Sequence, residues 1–567
     1  MAHLLTLALA SLVFAPTSAA PSPAWTFVRK GNSSVIGLEA IIVSPRLAVF
    51  FDKATNDPST TPDGKVAWGE LWDLESNSGV PLKLVSDTFC ASGALLSNGT
   101  MVSVGGTIPV AADLNATGAV DGRMGLRMFG PCLDPPSGPG CTVFEDLEHI
   151  HMAETRWYPS SIRIFDGSLR HVSGSASDLQ MLIGLADPVN NYEFFPAKDG
   201  GVPRPSAFLE RSLPVNLFPR LFALPDGKVF MVANNQSIIY DIEANTETIL
   251  PDLPNGVRVT NPMDGTAQLL PLSPPLYTPE VLVCGGSNKS DSTPTTELSS
   301  LDPATSQCSR ITLTPAGIAK GWEIEHMPQG RTMPEMIPMP NGEIIIINGG
   351  ETGYAGFSSL GHTTGNSNAD SPVFTPILYT PDAAVGQRMS QKGLPATDIP
   401  RLYHSTVTLT PQGNLLIAGS NPNVNVTFVP PGQPGYSSEF RIETLDPPYM
   451  MMDRPILSSV PSKIQYNHHF KIHLSIPAGV STSSIKVALM DLGFSSHAYH
   501  SSARLVFMDA TLSDNKRTLT VLSPPNNRVY PPGPAYIFVT IGETTSVGAY
   551  VMVGSGANPP VPDQGFR

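Results

Sequence analysis

The stretch SNGTMVSVGG (97–106) decides the fold: a Ser-Asn-Gly turn, a short apolar strand and a Gly-Gly end. Asn-Gly joined to apolar, β-branched residues is the signature of an antiparallel hairpin. The same order recurs as FDGSLRHVSGS (165–175), PDGKVFMVANN (225–235), TPEVLVCGG (278–286), PNGEIIIINGG (340–350) and PQGNLLIAGSN (411–421). A degenerate copy, IIVSPRLAVFFDK (41–53), precedes them. Their spacing, about 50 to 70 residues, lies close to or above the kelch period, so each copy belongs to one four-stranded blade. The expectation is an all-β chain containing a seven-bladed kelch-type β-propeller.

Beyond the Met- and Pro-rich segment LDPPYMMMDRP (445–455) the repeat stops. FKIHLSI, IKVALMDLG, ARLVFMD, TLTVLSP and AYIFVTI then read as strands of a C-terminal immunoglobulin-like β-sandwich. Residues 1–20, MAHLLTLALASLVFAPTSAA, have the short apolar run and small-residue end of a secretory signal peptide. The expected organisation is therefore signal peptide 1–20, propeller 21–450 and sandwich 451–567.

An exported chain is consistent with the rest of the sequence. No later stretch stays apolar for the roughly 18 residues a membrane helix needs, and the tail VPDQGFR carries no lipid-anchor signal. Charged residues make up 14%, well below the ~25% of average proteins, while 57 prolines in 567 residues suit strands and tight loops. With 48 acidic against 34 basic residues, a formal charge of −14 and no Lys/Arg cluster, nucleic acid and anionic membranes are disfavoured as partners. Asn-x-Ser/Thr triplets at Asn32, Asn98, Asn115, Asn235, Asn288 and Asn425 predict a glycoprotein.

Five cysteines are an odd number for an oxidising compartment. Cys132 and Cys141 flank the loop CLDPPSGPGC, and Cys284 and Cys308 flank a Ser/Thr-rich loop, so these are the expected disulfides. Cys90, within SDTFCASG (86–93), is left over. Taken alone it reads as a buried thiol packing as a small hydrophobe.

Three further stretches place polar residues beside such strands: RWYPSS (156–161), RLYHSTVTL (401–409) and GFSSHAYHSSARLVF (493–507). Inner strands of a propeller line its axis, so side chains distant in sequence converge there. Each motif alone is weak. Together, and in this order, they resemble the copper radical oxidases, and among them the fungal glyoxal oxidases more than galactose oxidase. The resemblance spans the whole mature chain, without the extra N-terminal sugar-binding domain of galactose oxidase.

The resemblance implies a thioether between Cys90 and Tyr158, a radical cofactor made from the protein itself. It also implies one copper ion held by Tyr158, Tyr403, His404 and His497, with Tyr403 axial and His500 outside the ligand set. Imidazole and oxygen donors suit Cu(II). Removing two electrons from an alcohol or aldehyde hydrate needs a second one-electron centre, which a tyrosyl radical at Tyr158 supplies, while Tyr403 serves as general base. The implied activity is oxidation of small aldehydes such as glyoxal and methylglyoxal, as hydrates, or of α-hydroxycarbonyls, to carboxylic acids. Dioxygen is reduced to hydrogen peroxide, with peroxidases as its consumers and a monomer as the working form. A primary-alcohol oxidase of the galactose oxidase type and a non-catalytic carbohydrate-binding kelch propeller are the alternatives. Trp157 is not nominated for the site, because neighbours on a strand point to opposite faces.

Overall fold

The seven repeat copies correspond to strands one step out from a central axis. The computed structural model describes residues 23–132, 141–176 and 187–562, so the expected signal segment lies outside it. Each copy holds the second strand of an antiparallel sheet: Leu47–Phe51, Met101–Val104, Leu169–Val172, Val229–Ala233, Glu280–Gly285, Ile344–Ile347 and Leu415–Ala418. Sheets flank this strand on both faces, so Ile344–Ile347 is buried at every position and reads as a continuous apolar run. Outermost strands differ; Thr246–Ile249 is largely exposed.

A tight turn connects each repeat strand to the innermost strand before it. After Ser92–Leu95, for example, the chain reverses at Ser97–Gly99, where Gly99 takes φ 89°, a conformation that suits glycine. The innermost strands Ser92–Leu95, Ser160–Arg163, Arg220–Ala223, Gly265–Leu269, Glu335–Pro338, Thr406–Leu409 and Glu39–Ile42 neighbour one another in that order, and the strand Phe494–Ser496 joins the last to the first, closing a ring. That arrangement is a β-propeller. Strand Thr26–Asn32 pairs with Arg441–Asp446, the strand that follows Leu415–Ala418 in its sheet, and so ties the N-terminal segment to that sheet.

The C-terminal strands form a sandwich of two sheets. One contains Ile456–Ser459, His469–Ser475, Thr518–Leu522 and Ala510–Leu512; the other is built around Gly533–Ile541 and Ile485–Asp491. Gly533–Ile541 is buried along its whole length because it is covered on both sides. Ala488, Met490 and Phe538 pack with the propeller residues Ile345, Leu415 and Ile417, while Val487, Leu489 and Ile537 join the sandwich interior. Helices are few and short among the described residues, as in Ala207–Arg211 and Pro315–Lys320, and no described helix is long and apolar enough to cross a membrane. Both expected disulfides, Cys132–Cys141 and Cys284–Cys308, are formed, and Cys90 is the free, buried cysteine.

One sandwich element leaves its own domain. The hairpin Phe494–Ser496 and Tyr499–Ser501 adds to the inner strand Glu39–Ile42, and its second strand contacts the inner strands of five other sheets. It therefore fills the propeller axis.

Candidate metal centre

Residues at one end of the axis share an unusual backbone. Cys90, Tyr158, Phe218, Met333 and His404 have φ of 60°, 64°, 49°, 54° and 64°, and each lies two residues before the first residue of an inner strand. Left-handed backbone is unfavourable for residues with a Cβ, by roughly 1–2 kcal/mol each. Its recurrence at equivalent corners turns those side chains out of strand alternation and toward the axis. Buried arginines brace three corners: Arg156 donates to the Ser173 carbonyl (2.8 Å), Arg331 to that of Asn348 (3.1 Å) and Arg401 to that of Gly419. The same arginines open the motifs RWYPSS, RTMPEM and RLYHST.

The five nominated residues meet at this end. The Tyr158 and Tyr403 hydroxyls are 2.7 Å apart, and Cys90 Sγ lies 3.7 Å from His404 Nε2. Tyr158 donates its backbone N–H to the Cys90 carbonyl, so these two corners touch through the main chain (3.3 Å). One candidate ligand atom from each of Cys90, His404 and His497 falls within 4.8 Å of the others. Cys90 and Tyr158 are fully buried, and His404 and His497 are each 3% exposed.

Hydrogen bonds orient both imidazoles. His404 Nδ1 donates to the Asn421 carbonyl (3.0 Å), and His497 Nδ1 donates to Ser496 Oγ (2.8 Å), which donates to the Ala91 carbonyl (3.2 Å). Each Nε2 thereby keeps its lone pair, and buried His497 Nε2 has no partner among the described residues. A second nitrogen fixed in this way is the usual support of a metal-ligating histidine. Burial drives the His404 pKa down to about 3 and that of His497 well below its ordinary value, so both rings are neutral. Burial likewise pushes the Tyr158 and Tyr403 phenols and the Cys90 thiol well above their ordinary values.

Sequence reasoning missed three aromatic neighbours. Strand alternation places Trp157 on the face opposite Tyr158, yet its ring centroid is 4.7 Å from that of Tyr158. The reason is the positive φ of Tyr158, which takes this pair off a regular strand. Phe218 stacks on His497 at 4.3 Å and meets Tyr158 edge-on at 5.1 Å, while Phe89 lies edge-on to His404 at 5.4 Å. Aligning the corners ahead of each repeat would have found Phe218, because it occupies in NLFPRL the place that Tyr158 occupies in RWYPSS. His500 stands apart from the cluster: its Nε2 donates to the Val407 carbonyl (2.5 Å), and its Nδ1 faces Glu335 at 3.3 Å.

Comparison with known proteins gives matching results along the chain. The family model "Glyoxal oxidase N-terminus" matches residues 52–449, and "Galactose oxidase-like, Early set domain" matches residues 454–553. Aldehyde oxidase GLOX of Vitis pseudoreticulata is 31% identical over 502 residues, covering 85% of this chain and 85% of that protein. Aldehyde oxidase GLOX1 of Arabidopsis thaliana is 29% identical, covering 85% and 74%. Among solved structures, a fungal alcohol oxidase of the AA5 family in complex with copper superimposes with a TM-score of 0.69 at 16% identity, over 94% of this chain and 100% of that one.

Proposed function

Because the chain belongs to the glyoxal oxidase family, we propose that it is a copper radical oxidase that converts small aldehydes, as their hydrates, to carboxylic acids. The observation that carries this reading is the convergence of Cys90, Tyr158, Tyr403, His404 and His497 at one end of the axis, with both Nε2 lone pairs directed away from their supports. The donor set fits copper: two neutral imidazoles and two phenol oxygens suit Cu(II), and the partnerless His497 Nε2 needs an electrophile. Tyr158, Tyr403, His404 and His497 would hold the ion, which would supply a one-electron couple and a Lewis-acid position for the substrate oxygen.

The chain's own residues divide the remaining work. Tyr403 takes the substrate hydroxyl proton at its phenolate oxygen, and Tyr158, as a radical, takes a hydrogen atom from carbon at its own oxygen. A thioether from Cys90 to the Tyr158 ring feeds electron density into that ring and makes the radical easier to form. Making this bond removes one hydrogen from sulfur and one from a ring carbon, with dioxygen as the oxidant. Trp157 and Phe218 cover the ring and keep water from it. In the overall reaction R–CH(OH)2 and O2 give R–COOH and H2O2.

The surroundings support a small substrate. Half-buried Phe357, Val426 and Phe440 pack on the Cys90–Tyr158 cluster, an apolar setting that offers little to a sugar. Export is supported by the two disulfides and by the accessibility of the glycosylation asparagines, of which Asn32, Asn115, Asn288 and Asn425 are exposed. The test is metal analysis of the purified protein with peroxide release over glyoxal, methylglyoxal, glycolaldehyde, galactose and simple primary alcohols. One copper per chain and faster turnover of aldehydes are expected. Preference for galactose or primary alcohols would favour the alcohol-oxidase alternative, and a protein without copper or peroxide would refute the reading.

A further inference from the structure

His497 is the one nominated ligand carried by the C-terminal hairpin, and its turn is a poor one by sequence. A two-residue hairpin loop with φ positive at both positions favours Asn-Gly. Here it is His497-Ala498, with φ of 50° and 58°. Something outside the hairpin must hold it.

Arg220 is placed to do so. It opens the inner strand Arg220–Ala223 and is fully buried. Its Nη1 donates to the His497 carbonyl at 2.9 Å. Its Nη2 contacts three acceptors at and just before the start of the next sheet: the Gly265 carbonyl at 2.8 Å, the Val259 carbonyl at 3.2 Å and Asp264 Oδ1 at 3.1 Å. Asp264 is itself fully buried, and its backbone carbonyl accepts from Met333 N–H at 2.7 Å. One guanidinium therefore joins two sheets of the propeller to the backbone of the turn. The flanking strand is fixed separately, by Tyr499 Oη on the Leu221 carbonyl (3.1 Å) and by Ser501 Oγ on the Ser161 carbonyl.

We propose that Arg220, braced by Asp264, is the positioning residue for His497: it fixes the main-chain carbonyl of an unfavourable turn and so aims the His497 imidazole before the metal arrives. This rests on the proposed copper site. The role is distinct from catalysis, because Arg220 touches neither the Tyr158 nor the Tyr403 oxygen in the hydrogen bonds it makes. A residue that acts only on folding would alter the melting temperature and leave the affinity of the folded protein unchanged.

The test uses full-length protein with Arg220→Lys and the paired variant Arg220→Met/Asp264→Asn, which avoids stranding a buried carboxylate. Folded, metal-free samples are titrated with Cu(II) against a competing chelator, and EPR spectra are recorded on the copper-loaded forms. Hydrogen exchange of the peptide covering residues 494–501 is measured without metal. The paired variant is expected to bind copper at least tenfold more weakly, with an altered EPR spectrum and at least tenfold faster exchange at the turn. Arg220→Lys should fall between it and the parent, and carries the comparison should the paired variant fail to fold. Parent-like affinity, spectrum and exchange in a folded variant would overturn the proposal. Absence of copper binding by the parent would refute the metal site itself, and the exchange measurement would still decide whether Arg220 holds the turn.

Discussion

Tyr158 and Tyr403 share one hydrogen bond of 2.7 Å, yet the account gives them different duties, so their phenylalanine variants should fail differently. Tyr403→Phe leaves Cys90 and Tyr158 in place; copper binding and the radical absorption should survive, while kcat falls by a factor on the order of 10² to 10⁴, as for loss of a general base. Tyr158→Phe should lose the thioether, the radical absorption and turnover together. Oxidised spectra beside peroxide release distinguish the two, and a radical spectrum in Tyr158→Phe would contradict the assignment. At this scale the sequence was informative about polar groups and silent about their packing. Cys90, Tyr158, Tyr403, His404 and His497 stood out because they interrupt apolar strands in a recognisable order. Trp157 and Phe218 did not, because their position depends on left-handed backbone that no residue type there announces, both corners being followed by proline and not glycine.

Among the elements, the hairpin 494–501 carries a conformational cost that can be relieved. Ala498 sits at φ 58° and has no side-chain role in the site. Ala498→Gly should raise stability by about 0.5–1 kcal/mol, the left-handed penalty less the extra freedom glycine has when unfolded, with copper affinity unchanged. Equilibrium denaturation checks it; a destabilised Ala498→Gly would show that the turn is not strained. A second prediction concerns strand Leu169–Val172. Burial, aided by the charge of Arg156, brings the His171 pKa down to about 3. The neutral ring donates or accepts through Nδ1 at Ser161 Oγ (3.1 Å), and Nε2 has no partner among the described residues. Below pH 6.5 the unfolded chain binds a proton that the folded chain refuses, so stability present above that pH is lost as the pH falls toward 3. Between pH 7 and 5 the part of this loss that belongs to His171 should be on the order of 2 kcal/mol, beside the similar contributions of buried His404 and His497, and His171→Asn should remove that part alone. Urea denaturation of metal-free protein at both pH values measures this, and an equal loss in parent and variant would contradict it. Repeat strands were legible because burial on both faces makes them continuous apolar runs between glycine turns. Outer strands such as Thr246–Ile249 were not, since solvent leaves their composition unconstrained.

For the whole molecule, the axis is where propeller and sandwich become one unit. The hairpin supplies the proposed metal centre with His497 and fills the ring with Tyr499 and His500, so neither domain would hold the complete site alone. This junction is beyond sequence reading: GFSSHAYHSSARLVF lies among the sandwich strands in sequence, and only its pairing with Glu39–Ile42 reveals an inserted element. Two adjacent blades are also linked in the proposed active form, because Cys90 and Tyr158 precede the neighbouring inner strands Ser92–Leu95 and Ser160–Arg163. Copper loading in the presence of dioxygen should therefore add a permanent bond between adjacent sheets. The most direct measurement is a peptide mass map of the copper-loaded protein after reduction and alkylation. The peptides containing Cys90 and Tyr158 should travel as one species, lighter by two hydrogens than their sum, with no alkylated Cys90. Fully alkylated Cys90 in a protein that still turns substrate over would contradict it.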